Sequence, residues 1–264
     1  MAGALPESPK MAVGITGASS GLGAALARAY AAPGVALALI GRDAPRLDAV
    51  AEACRDAGAI VDVGRFDVTD RDSFAFWLKA YDHRHPLDVL IVSAGISAGP
   101  APGDVGESFE LTARQVEINL LGAVNTVATL LPAMAARGRG RIALIASLAA
   151  YRGLPYAPGY SASKAGLRAY GEALRALVEP QGVRVTVVCP GFFASPMTDR
   201  WKGPTPLAMS GERAARKIRR AIDSGRRRVS FPWPLAFGLR LCDVLPAALG
   251  DRIMRGFRFW IRSA

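Results

Sequence analysis

A six-residue apolar run, M-A-V-G-I-T (Met11–Thr16), breaks at Gly17, and after G-A-S-S-G-L-G the chain continues as an alanine-rich stretch to about Ala32. A short apolar run bounded by glycine reads as a buried strand, and the alanine-rich stretch as a helix. Strand, glycine turn and helix in succession constrain everything that follows. Small side chains at Gly17, Ser19, Ser20, Gly21 and Gly23, with Leu22 between them, let the backbone approach a ligand, and the helix start offers free N–H groups to an anion. This is the context of a dinucleotide-binding turn. The spacing is G-x-x-x-G-x-G, not G-x-G-x-x-G, and a plain glycine turn is the alternative.

The later segments alternate in the same way. Apolar strands are expected at 35–41, 60–66, 88–95, 141–147 and 183–191. Helices are expected at 44–58, from the D-V-T-D of 67–70 to about Tyr81, at 107–136, and from the Pro158-Gly159 pair to about Val178. Strands alternating with helices make a parallel sheet with both faces covered. The expected fold is therefore α/β: a Rossmann-type, doubly wound parallel β-sheet in three α/β/α layers, with a basic C-terminal helical extension. The 264 residues are expected to form a single domain, with a core over 11–198 and a lid and extension over 192–264.

Charge is placed unevenly. Of the 33 Lys and Arg and 22 Asp and Glu, 18 basic and 18 acidic residues precede Arg200, leaving 15 basic and 4 acidic after Asp199. The excess of +11 thus lies in the last quarter and suggests an anionic surface near the C-terminus. The three cysteines, Cys54, Cys189 and Cys242, have neither metal-like nor redox spacing, which points to a reducing, cytoplasmic setting. The first ten residues lack a signal-peptide core, no run of eighteen uncharged apolar residues suggests a spanning helix, and the only histidines, His83 and His85, argue against a metal site.

The chemistry is expected between Ser147 and Lys164. Ser147 ends the run R-I-A-L-I-A-S, Tyr160 follows thirteen residues later and Lys164 four after that, so Tyr160 and Lys164 share one helical face. An ammonium beside a tyrosine favours the tyrosinate and lowers a pKa that is otherwise about 10. A serine hydroxyl can steady a developing oxyanion. Arg42, directly after the second strand, suits a 2′-phosphate, as Ser19 and Ser20 also do. The alternative for Arg42 is a solvated side chain beside Asp43. Asn119 lies inside the long expected helix among Ile118, Leu120 and Leu121, where an asparagine is a poor helix former.

The glycine turn, Asp67, Ser93-Ala94-Gly95, Asn119, Ser147, Tyr160 with Lys164, and Pro190-Gly191 occur in order. Over about residues 11–198 this resembles the short-chain dehydrogenase/reductase family in its compact form. The resemblance implies that Tyr160 is the acid/base, that Ser147 binds the substrate oxygen, that Lys164 holds the nicotinamide ribose, and that Asn119 anchors a proton-relay water. It implies adenine contact by Asp67 and Val68, ribose-side contact by Ala94 and Gly95, and a nicotinamide surround of Pro190, Gly191, Phe193 and Ser195. V-S-A-G replaces the family's N-N-A-G, and Ser195 stands where a threonine is usual. The resemblance also implies a homodimer or homotetramer through the helices near 107–136 and 157–178.

The expected activity is NADP(H)-dependent interconversion of a lipophilic or aromatic carbonyl and its secondary alcohol, with NADPH preferred over NADH. Pocket side chains are expected from Ile96, Ser97, Ala149, Leu154, Tyr156, Phe192, Phe193 and Met197. The apolar segment from Phe192 to Trp201 reads as a lid or as core packing. In the tail, Ile253, Met254, Phe257, Trp260 and Ile261 fall on one face of a helix drawn over 251–262, with Arg252, Arg255 and Arg262 away from it. That pattern suits a peripheral membrane anchor, or a helix docked on the body with its arginines in solvent. Competing readings are a non-catalytic NADP-binding redox sensor, a peripheral-membrane, lipid-directed dehydrogenase using NAD, and a nucleic-acid-binding protein. For the last, no nucleic-acid motif accompanies the basic tail.

Overall fold

The computed structural model describes residues 9–261 apart from Pro102. The elements run β1 (Met11–Thr16), α1 (Gly21–Tyr30), β2 (Val35–Ile40), α2 (Ala44–Asp56), β3 (Ile60–Gly64), α3 (Arg71–Arg84), β4 (Val89–Val92) and α4 (Phe109–Val116). A π-helical turn, Glu117–Leu121, leads into α5 (Gly122–Ala136), followed by β5 (Gly140–Ile145), α6 (Pro158–Val178), β6 (Val183–Pro190), α7 (Pro196–Asp199) and β7 (Trp201–Lys202). The C-terminal part is α8 (Gly211–Asp223), β8 (Arg228–Phe231), α9 (Trp233–Val244), α10 (Ala247–Arg255) and β9 (Trp260–Ile261).

Seven parallel strands lie in the order β3-β2-β1-β4-β5-β6-β8. The period of two sends alternate side chains to opposite faces. Val13 and Ile15 of β1, Leu37 and Leu39 of β2 and Ile91 of β4 pack under α1 and α8, with Leu26, Tyr30 and Ile218. Ala12, Ala36, Ala38, Leu90 and Val92 face the other way, under Phe74 and Leu78 of α3, Val127 and Leu130 of α5, and Leu167 and Leu174 of α6. The strand order reverses between β1 and β4, so the connections leave to opposite faces and open a crevice at the strands' carboxyl ends.

Two expectations change, in the long helix and in the tail. The long helix begins at Phe109, capped by the Ser108 side chain, and is broken by the π turn that carries Asn119. Part of it is apolar enough to resemble a spanning segment, but Val127, Leu130 and Met134 are buried against the sheet. In the D-V-T-D stretch it is Asp70 that caps α3, accepting from Ser73 N at 3.3 Å.

The tail differs most. No helix runs over 251–262: α10 stops at Arg255, with Gly256 as its cap, and the chain turns back into β9, antiparallel to β7. Phe259 and Ile261 are buried with Tyr156 and Trp201 around them. Trp201 stacks on Phe259 at 3.7 Å between ring centroids and meets Phe192 edge-on at 4.9 Å. Burying two large side chains outweighs continuing a helix through glycine. Arg262 lies outside the described residues.

Candidate active site

The crevice is shaped by backbone contacts that only glycine permits. Gly17 leaves β1 at φ 70°, and a Cβ there would lie 2.8 Å from the Ala94 Cα at the end of β4. A Cβ on Gly23 would lie 2.1 Å from the Gly17 carbonyl oxygen. The turn, the end of β4 and the first turn of α1 are therefore packed backbone on backbone, which draws the helix N–H groups toward the crevice. Ser20 occupies the N-cap of α1 without a capping hydrogen bond from its side chain, leaving those N–H groups to a ligand. Such a cradle fits the pyrophosphate of a dinucleotide. Thr16 Oγ1 accepts from both Ser93 N (3.1 Å) and Ala94 N (3.2 Å), so V-S-A-G is anchored with serine in place of asparagine.

Beyond the turn, Arg42 Nη1 donates to Asp67 Oδ2 at 3.1 Å, and Arg114 of α4 reaches the same oxygen at 3.2 Å. Asp67 Oδ1 accepts from Thr69 N and Oγ1. Burial raises the Asp67 carboxyl, but the Thr69 hydrogen bonds and then the two guanidinium charges outweigh it and hold the group below its ordinary value. Asp43 is engaged elsewhere, capping α2 and pairing with Arg46 at 3.0 Å. Arg42 therefore pairs with Asp67 and not with its neighbour Asp43.

Ser147 follows β5 and accepts from Ala149 N at 3.1 Å. Tyr160 lies in the first turn of α6, and Lys164 one turn later is 4% exposed. The Lys164 Nζ donates to the Ile145 carbonyl at 2.9 Å and lies 5.9 Å from the Tyr160 ring centroid. Burial brings the Lys164 ammonium down to about 8. The Tyr160 phenol is pushed up by burial, against the lowering effect of its hydrogen bond with Ser147. In this structure desolvation of the tyrosinate is the largest influence on the phenol.

Asn119 Oδ1 accepts from Ile96 N at 2.7 Å, and Nδ2 donates to Ile96 O and to Ser163 Oγ, both at 2.9 Å. Ser163 Oγ in turn donates to the Tyr160 carbonyl at 2.8 Å. Gly95 is wedged beside this cluster, where a Cβ would lie 3.0 Å from Asn119 Oδ1 and 3.2 Å from Lys164 Nζ.

A cavity of about 730 Å³ runs through the crevice. Its polar half is lined by Gly17, Ser19, Ser20, Gly21, Leu22, Gly23, Arg42, Asp67, Val68, Ala94 and Gly95. Ser147, Tyr160 and Lys164 line its middle, with Pro190, Gly191, Phe193 and Ser195 opposite. Asn119 stands behind this wall. Ser195 caps α7, accepting from Thr198 N at 3.2 Å. Among the described residues no cluster of His, Cys, Asp and Glu could hold a metal ion.

Residues 11–204 match the short chain dehydrogenase family. The chain belongs to that family. An uncharacterized oxidoreductase of Myxococcus xanthus is 37% identical over 245 residues, covering 92% of this chain and 96% of the relative. A short-chain dehydrogenase from Sphingobium yanoikuyae, solved in complex with NADPH, superposes with a TM-score of 0.75 at 25% identity, covering 93% of each chain. A short chain dehydrogenase from Mycobacterium paratuberculosis, bound to NAD, gives 0.74 at 22% identity over 84% of this chain and 96% of that one.

In this NAD(P)-dependent dehydrogenase/reductase, several site-building residues carried no motif. Gln115, fully buried, accepts from Ala98 N at 2.9 Å through Oε1 and donates to Glu107 Oε2 at 3.1 Å. The same Glu107 oxygen accepts from Gly159 N at 3.1 Å, tying the loop after β4 to the start of the Tyr160 helix. Arg46, in the first turn of α2, also lines the cavity. Tyr156 does not line it; the ring packs edge-on against Phe259 at 5.4 Å. The apolar end of the dehydrogenase's cavity is closed by Leu154, Phe192, Met197 and Trp201 together with Leu235 and Leu239 of α9 and Met254 of α10.

Proposed function

We propose that this dehydrogenase interconverts a lipophilic or aromatic carbonyl and its secondary alcohol, using NADP(H). The observation that carries the reading is one continuous cavity. One end is a glycine cradle flanked by Arg42 and Arg46, the middle holds Ser147, Tyr160 and Lys164, and the other end is apolar. The bound dinucleotide supplies hydride chemistry at the substrate carbon. The chain supplies the proton and the geometry. In reduction, Tyr160 Oη gives its proton to the substrate oxygen while the Ser147 hydroxyl donates a hydrogen bond to it. Burial holds the Tyr160 phenol above its ordinary value, and the protonated phenol is the form that reduction uses. Lys164 faces the resulting tyrosinate as a cation, and Asn119 and Ser163 hold the loop and helix that aim both groups. NADP over NAD is supported by Arg42, Arg46 and Ser19 at the end where a 2′-phosphate would lie.

Homo-oligomers through the α4–α5 and α6 faces are supported by exposed Phe109, Leu121 and Leu177. A cytoplasmic setting is supported by Cys54, Cys189 and Cys242, all free and buried. The division into a core over 11–198 and a lid with extension is supported by the substrate-side wall lying after Gly191.

The test is a screen of NADPH and NADH oxidation over steroids, retinoids, ketoacyl lipids and small aromatic carbonyls, run beside Tyr160→Phe. The variant should bind NADPH as the parent does, by cofactor fluorescence, and lose turnover. Substantial residual turnover in Tyr160→Phe would refute the assignment of the proton donor.

A further inference from the structure

Helix α9 is apolar on two adjoining sides. One side closes the cavity through Pro234, Leu235, Gly238, Leu239 and Cys242. On the next, Trp233, Phe237, Leu241 and Val244 recur at i, i+4, i+8 and i+11 and face outward, 74%, 62%, 47% and 78% exposed. At about 100° per residue these four span roughly 80°, and Pro234, Gly238 and Cys242 occupy roughly the next 80°. Apolar surface is thus continuous from the outside of the molecule into the cavity. Exposed Pro234 and Ile253 line the cavity as well, and so form its rim. Leu249 and Trp260 extend the exposed apolar surface along α10 and β9. Arg252, Arg255 and Arg258 are exposed in the same segment and have no ion-pair partner among the described residues.

A contiguous exposed apolar surface marks an interaction site. Tryptophan and phenylalanine beside unpaired arginines suit the boundary between headgroups and acyl chains. We propose that the α9–α10 face docks on an anionic lipid bilayer and surrounds the mouth of the cavity, so that a bilayer-dissolved carbonyl lipid enters along α9. The substrate part of this inference rests on the reaction proposed above; the docking part does not. A second copy of the chain suits the face less well. A twofold contact would set one cluster of unpaired arginines near its copy, and a subunit seated on the rim would obstruct the entrance. This surface is distinct from the single helix over 251–262 drawn from sequence, because α9 supplies most of it and Phe259 and Ile261 turn inward.

The test uses the full chain with vesicles of phosphatidylcholine alone and of phosphatidylcholine with phosphatidylglycerol. Flotation should occur with the anionic vesicles, with a blue shift of tryptophan emission from Trp233 and Trp260. A Trp233→Ser/Phe237→Ser/Val244→Ser variant should lose partitioning by roughly tenfold or more. An Arg252→Gln/Arg255→Gln/Arg258→Gln variant should lose the preference for anionic vesicles. NADPH affinity should stay at the parent value in both, which reports an intact fold. The proposal is overturned if the parent does not float on anionic vesicles, or if the serine variant floats as the parent does. It is also overturned if sedimentation shows the serine substitutions splitting an oligomer while flotation is unchanged, which would assign the face to a second copy. Absence of NADPH oxidation on every carbonyl would count against the reaction and leave the flotation result to judge the docking.

Discussion

Asn119 and the backbone of Ile96 form a closed pair: Oδ1 accepts from Ile96 N at 2.7 Å and Nδ2 donates to Ile96 O at 2.9 Å. The pair ties the π turn to the loop that leaves β4, and Ser163 extends it to the carbonyl of Tyr160. An asparagine in mid-helix is thus satisfied by a neighbour and also braces the site. Asn119→Ala leaves both Ile96 groups without this partner. A loss of about 1–3 kcal/mol in stability is expected from denaturant unfolding. Turnover should fall at least tenfold, more than any accompanying change in NADPH affinity, because the loss acts on the aim of Tyr160.

Arg42 and Arg46 are the arginines that line the cavity, and Asp67 holds Arg42 in place. In Arg42→Ala/Arg46→Ala the ratio of kcat/KM with NADPH to that with NADH should drop by about tenfold or more, since charge-assisted contacts to a phosphate are lost. The NADH value alone should change little. An unchanged ratio would remove the basis for assigning NADP.

The Lys164 ammonium has a folded value of about 8 against an ordinary 10.5. Its folded pKa lies below its unfolded one, so between these values the unfolded chain binds the extra proton. The contribution to stability is present at high pH and is lost as pH falls through about 8. Relative to Lys164→Met, the parent should gain roughly 1 kcal/mol of unfolding free energy per pH unit from pH ~8 toward ~10. Urea denaturation of both proteins across that range checks the slope, and a flat difference would mean that Lys164 is not desolvated.

Trp201 and Phe259 stack at 3.7 Å between centroids, joining the segment after β6 to the end of the chain. Trp201→Ala should cost about 1–2 kcal/mol, less than a full core truncation because Trp201 is only half-buried. KM for apolar carbonyls should rise while NADPH affinity holds, since the tryptophan lines only the apolar end. Thermal unfolding and steady-state kinetics with two substrates of different size separate these effects.

Where local sequence determines structure, the residues were readable. The apolar run before Gly17, the small residues of the turn and the Tyr160–Lys164 spacing depend on neighbours three or four positions away. They led directly to the crevice and to the groups that line its middle. Gln115 and Glu107 could not be found this way: their partners Ala98 and Gly159 lie 17 and 52 residues distant, and no spacing links them. The direction of the Tyr160 shift was likewise hidden, because an adjacent charge is visible in sequence and the depth of burial is not.

The tail marks the boundary most clearly. By itself the sequence determined the α/β alternation, the glycine turn and the serine, tyrosine and lysine spacing, because helix and strand periods and glycine's missing side chain act over a few residues. Only the tertiary structure decided that α10 ends at Arg255, that Phe259 and Ile261 turn inward onto Trp201 and Tyr156, and that α9 both closes the cavity and presents Trp233, Phe237 and Val244 outward. An apolar face on a helix says that something must cover it. What covers it is set by the surfaces that folding brings alongside, from positions far along the chain.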